Sequence, residues 1–348
     1  MPTDRRSFLK QILIGSAGLA GGIPAMSFTR TQTTPAPAVG TPASRVIFRT
    51  GSDRRKMMLD VLTPLKSEIR TAIGRRQVLI KPNFVVSRAP LCATHVDATR
   101  GVLDFLKSVT SQQVWIAESP ASGDAERAFD VYGYNALKNE YNVRLVDLNA
   151  EPTIEVGPIL MRDDTTTHVR LIKALVDKRN YVISVCRPKT HDSVIATLTT
   201  KNVLMAAPWR GAGQESDKVK MHGGKIAAEG NQVLTKNLNL VSDLLLPDLA
   251  VVDGLEGMEG NGPVGGTPIE HKIALAGTDC IAVDAVGVKL MGINPAYLPY
   301  LAYCERVGRG NYAENRIKVD GPDLKDFIKK YKLPDSYETQ ISWIKLTP

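Results

Sequence analysis

Three lysines and three histidines stand in short polar motifs where apolar runs stop. Lys81-Pro82-Asn83, Lys189-Thr190-His191 and Thr200-Lys201-Asn202 each set an ammonium beside an amide or an imidazole. Thr94-His95-Val96-Asp97 and His222 add two further imidazoles, and Asp253-Gly254 adds a carboxylate. Lysine holds carboxylate or phosphate and turns basic when desolvated, while neutral imidazole serves as metal ligand or as general acid and base. Two ammonium groups about 6 Å apart repel by roughly 3 kcal/mol at an effective dielectric of 20. Lys81, Lys189 and Lys201 gathered at one place therefore require carboxylates or a bound anion. Glu118, Asp97 and Asp253 are the carboxylates at hand, so an internal salt-bridge network competes with an anion site.

These residue types divide into three expected roles. Lys189 and His191 are the acid–base pair, and Lys81, Asn83, Lys201 and Asn202 hold the anionic group of a ligand or cofactor. His95, His191 and His222 with Asp253 (or Asp97) make a three- or four-ligand metal set. No HExxH or HxH spacing marks them, so histidines hydrogen-bonded in loops are the competing account. His168 and His271, outside any motif, are read as structural. Residues 254–266 hold six glycines in thirteen. Gly260 and Gly262 are expected to aim backbone N–H groups at a ligand, with Gly265 completing GxGxxG-like spacing. No GK[ST] ending follows, and a ligand-free turn is the alternative.

Elements with the right rhythm stand behind these motifs. Residues 45–49, 77–80, 114–117, 143–146, 181–185, 249–252 and 272–276 read as strands. Residues 53–73 (interrupted near Pro64), 96–109, 124–141, 234–246 and 279–291 read as helices. Such alternation predicts an α/β domain with a mainly parallel sheet and helices on both faces, Rossmann-like, with residues 153–160 and 168–175 as a small antiparallel extension. Lys81, Glu118, Arg187 to His191 and Asp253 all follow strands, and ligands of open α/β sheets bind beyond the carboxyl ends of strands. These residues, with His95 and Lys201, are expected to line one cleft.

With 348 residues, 43% apolar and 23% charged, the chain is too apolar for disorder and long enough for a substantial core. The net charge is +8, of which Arg5, Arg6, Lys10 and Arg30 against Asp4 place +3 in the first 38 residues. Scattered basic residues beyond that point and 6% aromatics exclude a nucleic-acid partner. Asp4-Arg5-Arg6-Ser7-Phe8-Leu9-Lys10, the glycine-punctuated apolar stretch 12–23 and Ala36-Pro37-Ala38 resemble a twin-arginine export signal. That resemblance implies the twin-arginine (Tat) machinery as a partner, a periplasmic or other extracytoplasmic location, and no stable membrane insertion after cleavage, since a twelve-residue stretch is far short of the ~20 that span a bilayer. The expected layout is a signal at 1–38, a linker at 39–44 and one α/β domain at 45–348. Cys92, Cys186, Cys280 and Cys304 form no CxxC pair and no cluster-binding run, so no iron–sulfur cluster is expected.

Taken in order, Lys81-Pro82-Asn83, Thr94-His95-Val96-Asp97, Lys189-Thr190-His191, Thr200-Lys201-Asn202, His222, Asp253-Gly254, the motif 257–263 and Thr278-Asp279 resemble the DUF362 family over about residues 76–310. Some relatives resemble fusions to ferredoxin-type modules, from which this chain departs by lacking their cysteine runs. In residue types the motifs are also similar to the sites of nickel-pincer lactate racemases, which group histidines and lysines around an anionic cofactor. The function expected is an exported enzyme whose basic, histidine-containing cleft binds a metal or anionic cofactor and performs proton or hydride chemistry on a small acid. The alternative is a non-catalytic periplasmic protein that captures an oxyanion or metal. Residues 209–232, with five glycines and His222, read as a lid that carries His222 to the cleft, or as a solvated insertion.

Overall fold

A computed structural model describes residues 44–211, 216–226 and 232–345, which belong to a single compact unit. The expected export signal lies outside the described residues. Twelve strands are present among them: β1 (Ser44–Thr50), β2 (Gln77–Lys81), β3 (Val114–Glu118), β4 (Val143–Asp147), β5 (Thr153–Leu160), β6 (Thr166–Ile172), β7 (Asn180–Cys186), β8 (Lys189–His191), β9 (Ile195–Thr197), β10 (Leu249–Asn261), β11 (Gly265–Gly277) and β12 (Ile317–Asp320). The helices that frame the site are α1 (Arg54–Leu62), α2 (Val96–Leu106), α3 (Thr199–Leu204), α4 (Gln232–Ser242) and α5 (Cys280–Leu290).

The main sheet runs β12-β1-β11-β10-β7-β2-β3-β4, and β8 with β9 branches from the far half of β10. From β10 through β7, β2 and β3 to β4 every neighbour is parallel, whereas β11 is antiparallel to both β10 and β1. The fold is thus α/β with a mostly parallel mixed sheet. The chain steps outward from β2 to β3 and β4, then returns to the other side of β2 with β7 and β10. The direction of winding reverses between β2 and β7, and such a reversal opens a crevice at the carboxyl ends of the two strands.

Strand composition explains the double burial. Val78, Ile80, Tyr181, Ile183, Val185, Leu249 and Val251 point to one face and pack with residues of α1 and α2. Leu79, Val182, Cys186, Ala250 and Val252 point to the other, against α3, α4 and α5. Side chains alternate across a strand, so a strand covered on both sides must be apolar at nearly every position, and these are. β5 and β6 form a separate two-stranded antiparallel sheet, the expected extension, with a single further bridge from Leu171 of β6 to Pro208.

Two expectations about elements change. The helix read over 124–141 is split into Ala125–Val131 and Leu137–Glu140 by Gly133, whose φ of 77° a helix does not accept. The glycine-rich segment is not a loop: β10 continues to Asn261 and pairs with β11 down to Asn261 opposite Gly265. Its glycines serve close packing. A β-carbon on Gly257 would lie 2.9 Å from the Pro188 carbonyl oxygen, and one on Gly262 only 2.1 Å from that of Thr190. The ribbon therefore lies directly on β8, with Met258 paired to Lys189.

Candidate functional site

Polar residues from both sides of the reversal interlock. Lys81, the last residue of β2, is fully buried, and its Nζ lies 2.5 Å from Glu118 Oε1 at the end of β3. It also donates to the Pro82 carbonyl and, at 3.1 Å, to Asn202 Oδ1. Glu118 further accepts the Phe84 and Ser119 amide protons at 2.8 and 2.7 Å, so its carboxylate pins the loop after β2. Asn202 on α3 donates to the Lys81 carbonyl and to Ser184 Oγ on β7, and its Oδ1 accepts from Asn83 Nδ2 at 2.8 Å. Lys189 closes the group by donating to Asn83 Oδ1 and to the Cys92 carbonyl, the latter at 2.7 Å. Burial lowers the pKa of Lys81 against the pull of Glu118, and pushes that of Lys189 down to about 8.

A second group lies beside the first. Lys201 Nζ is 2.9 Å from His191 Nε2, and His191 Nδ1 stands 3.1 Å from Asp192 Oδ1 and 3.0 Å from the Ser193 amide nitrogen. Burial, then the charge of Lys189, brings Lys201 down to about 7. Burial, then Lys201, brings His191 to about 4 and His222 to about 3, which places His222 within the electrostatic reach of this pair. Lys218, from the short helix Asp217–Met221, donates to the Met205 and Ala206 carbonyls at 2.7 and 3.1 Å and is lowered to about 7, chiefly by burial and then by Lys81. Among the described residues no carboxylate lies within ion-pair distance of Lys189, Lys201 or Lys218.

The remaining expected residues are placed differently. Asp253, wholly buried, is committed to Arg54 of α1 at 2.8 Å. His95 caps α2 by accepting the Asp97 amide proton, with Arg54, Asp253 and Arg187 as charged neighbours, and burial lowers its pKa. His95 and Asp253 thus stand with arginines while His191 and His222 stand with Lys201. Among the described residues no three His, Cys, Asp or Glu side chains gather to share an ion, so the side chains present do not fit the expected metal set. Gly260 donates its N–H to the Lys332 carbonyl and Gly262 donates to that of Gly260, so neither amide is free for a cofactor. Lys81, Glu118, Lys189 and Asp253 are buried network members rather than walls of an open cleft.

Sequence reading missed Lys218, Arg54 and Asp192. Lys218 lies in the segment read as a lid, whose described part is packed inward at Asp217, Lys218, Met221 and His222; residues 212–215 and 227–231 lie outside the description. Also unforeseen is backbone strain beside the site. The β-branched Val85 and Ile195 hold φ of 65° and 66°, a conformation costing about 1–3 kcal/mol each. Val85 lies two residues beyond Asn83 in the loop after β2, and Ile195 pairs with His191. His271 is structural, as expected, held by Tyr331 and the Phe327 carbonyl.

Fold and site together define an α/β protein with a buried, lysine-rich polar cluster at the winding reversal of a mostly parallel sheet. The chain belongs to the family described as Domain of unknown function (DUF362), whose profile matches residues 78–289. It is 27% identical over 262 residues to the thylakoid-associated protein sll1697 of Synechocystis sp., covering 74% of this chain and 76% of that protein. A crystal structure of a Thermotoga maritima protein is similar at 13% identity and a TM-score of 0.34, over 74% of this chain and 59% of that one.

Proposed function

We propose that the strand-exit cluster binds a small anion, a carboxylate- or phosphate-bearing molecule, and exchanges protons with it. The observation that carries this reading is the trio Lys189, Lys201 and Lys218, buried without a carboxylate among the described residues. A buried ammonium is costly unless paired. A ligand carboxylate or phosphate is the charge that such a site lacks. Amines brought down to about 8 and 7 exchange protons near neutral pH, which favours an enzyme over a passive carrier. In chain order the five parallel strands lie 3-2-1-4-5, which supports a Rossmann-like reading of the block, with the anion at its reversal. The pair Arg5-Arg6 before a short apolar stretch supports export through the Tat pathway to an extracytoplasmic compartment.

Thermal unfolding with and without millimolar oxalate or phosphate tests the site. Saturating ligand at 100 times Kd stabilises by about 2.7 kcal/mol, and Lys189→Met should abolish the gain. An unmoved melting temperature with either anion removes the anion reading. Export is tested separately by Arg5→Lys with Arg6→Lys, which should retain the precursor in the cytoplasm; unchanged export removes that reading.

A further inference from the structure

Among the buried lysines, Lys201 has an unusual partner. Lys81 faces a carboxylate, and Lys189 and Lys218 donate to oxygen acceptors. Lys201 meets a basic nitrogen, His191 Nε2, whose ring is backed at Nδ1 by Asp192 Oδ1. A nucleophile against a base that is oriented by a third group is the arrangement that activates weak nucleophiles. The two contacts at Nδ1 match two proton placements. When the Ser193 N–H donates to Nδ1, the ring proton sits on Nε2 and the amine is neutral. When Nδ1–H donates to Asp192, Nε2 accepts a proton from the ammonium.

We infer that Lys201 is an imine-forming amine that condenses with the carbonyl of a small 2-oxo acid, His191 moving the protons. The acid's carboxylate rests on the anion reading above, with Lys189 as its counter-charge. In β8, Lys189 and His191 share one face of the strand, and Thr197 lies opposite Lys189 across the antiparallel ladder, hence on that same face. Among the described residues the buried Thr197 hydroxyl has no hydrogen-bond partner, which leaves it for a ligand oxygen. Lys201, His191 and His222 are each more than nine-tenths buried, so the reacting molecule is small.

The condensation balances without an oxidant. The ammonium gives a proton to His191, and the freed lone pair forms the C–N bond while the carbonyl oxygen takes a proton back. Loss of that oxygen as water leaves a protonated imine. Two ammonium hydrogens depart in the water and the third stays on nitrogen.

The test uses the full chain with pyruvate and sodium cyanoborohydride, followed by peptide mass mapping, with oxalate as a non-condensing competitor. The expected result is one carboxyethyl group on Lys201, formed well ahead of modification at exposed lysines such as Lys56, and slowed by oxalate. His191→Gln should slow it by roughly 10²-fold, and Lys201→Arg should remove it. Label confined to exposed lysines, or on Lys201 at their rate, overturns the imine. If oxalate still raises the melting temperature in that case, the anion site stands without the imine. Label on Lys201 that oxalate neither slows nor protects supports the imine and removes the anion reading instead.

Discussion

Replacing Glu118 by Gln tests whether the strand exits are held by charge. The substitution keeps shape but leaves the Lys81 ammonium, 2% exposed, without its carboxylate. It also turns one of two acceptor oxygens, which take the Phe84 and Ser119 amide protons, into an NH2 that faces a donor. Breaking a buried ion pair from one side costs about 3–5 kcal/mol, because the surviving charge stays uncompensated. Each kcal/mol lowers the melting temperature of a large domain by about 2–4 °C, so a fall of roughly 6–20 °C is expected, toward the lower end for this length. Urea unfolding should show a lower midpoint at unchanged slope. Lys81→Met added to Glu118→Gln should recover part of the loss, with a coupling of more than about 1 kcal/mol in the double-mutant cycle. A Glu118→Gln variant within ~0.5 kcal/mol of the parent would show that the pair is hydrated in solution, and the account of this cluster as buried would fail.

Three further outcomes follow from the same geometry. His191 and His222, held neutral at about 4 and about 3 by burial and Lys201, titrate near 6.5 when unfolded. The imidazole contribution to stability is therefore full above pH ~6.5 and falls as pH drops toward 4, by roughly 3 kcal/mol per imidazole; His191→Gln should remove about half of this slope in urea titrations between pH ~6.5 and ~4, and an unchanged slope counts against neutral burial. Lys201 and Lys189, near 7 and 8, should take up protons when oxalate binds at pH 8, because an anion favours the ammonium form. Calorimetry in buffers of different ionisation enthalpy reads this directly, and buffer-independent heats would contradict it. Gly262→Ala sets a β-carbon against the Thr190 carbonyl and should destabilise by about 1–3 kcal/mol while weakening oxalate binding through displaced β8; a wild-type melting temperature would refute the contact.

Much of the scaffold is legible in the sequence because its periodicities are local. A strand buried on both faces writes itself as an apolar run, and helices such as α2 show their buried face in Val102, Leu103 and Leu106. The fates of the glycines are not local. Six in thirteen residues read as a loop, yet Gly257 and Gly262 are small because β8 and Tyr331, far along the chain, press on them. Pairing is equally hidden. Nothing near Asp253 announces Arg54, some two hundred positions earlier, and with that ion pair Asp253 stands beside His95 and the arginines rather than with His191 and His222. Lys81, Asn83, Glu118 and Lys189 are legible as residues of one region because each ends or follows a strand, but their burial in a closed network with Asn202 of α3 depends on the order of strands.

That order gives the lysines a common address. Lys81 leaves β2, Lys189 starts the strand after β7, and Asn202 bridges both by binding the Lys81 carbonyl and Ser184. A parallel sheet whose winding reverses brings the exits of its first and fourth strands side by side, so residues about a hundred positions apart meet without any local signal. Among the described residues, Lys81 alone of these lysines receives a carboxylate there. Were the cluster purely structural, each ammonium would gain by a matched acid or by replacement with an apolar side chain, since buried pairs are often no better than packed hydrocarbon. Val85, two residues beyond Asn83, and Ile195, paired with His191, hold strained backbone beside the same cluster. Unmatched buried charge lowers stability in the unliganded state, and the anionic partner proposed above is the kind of ligand that offsets it.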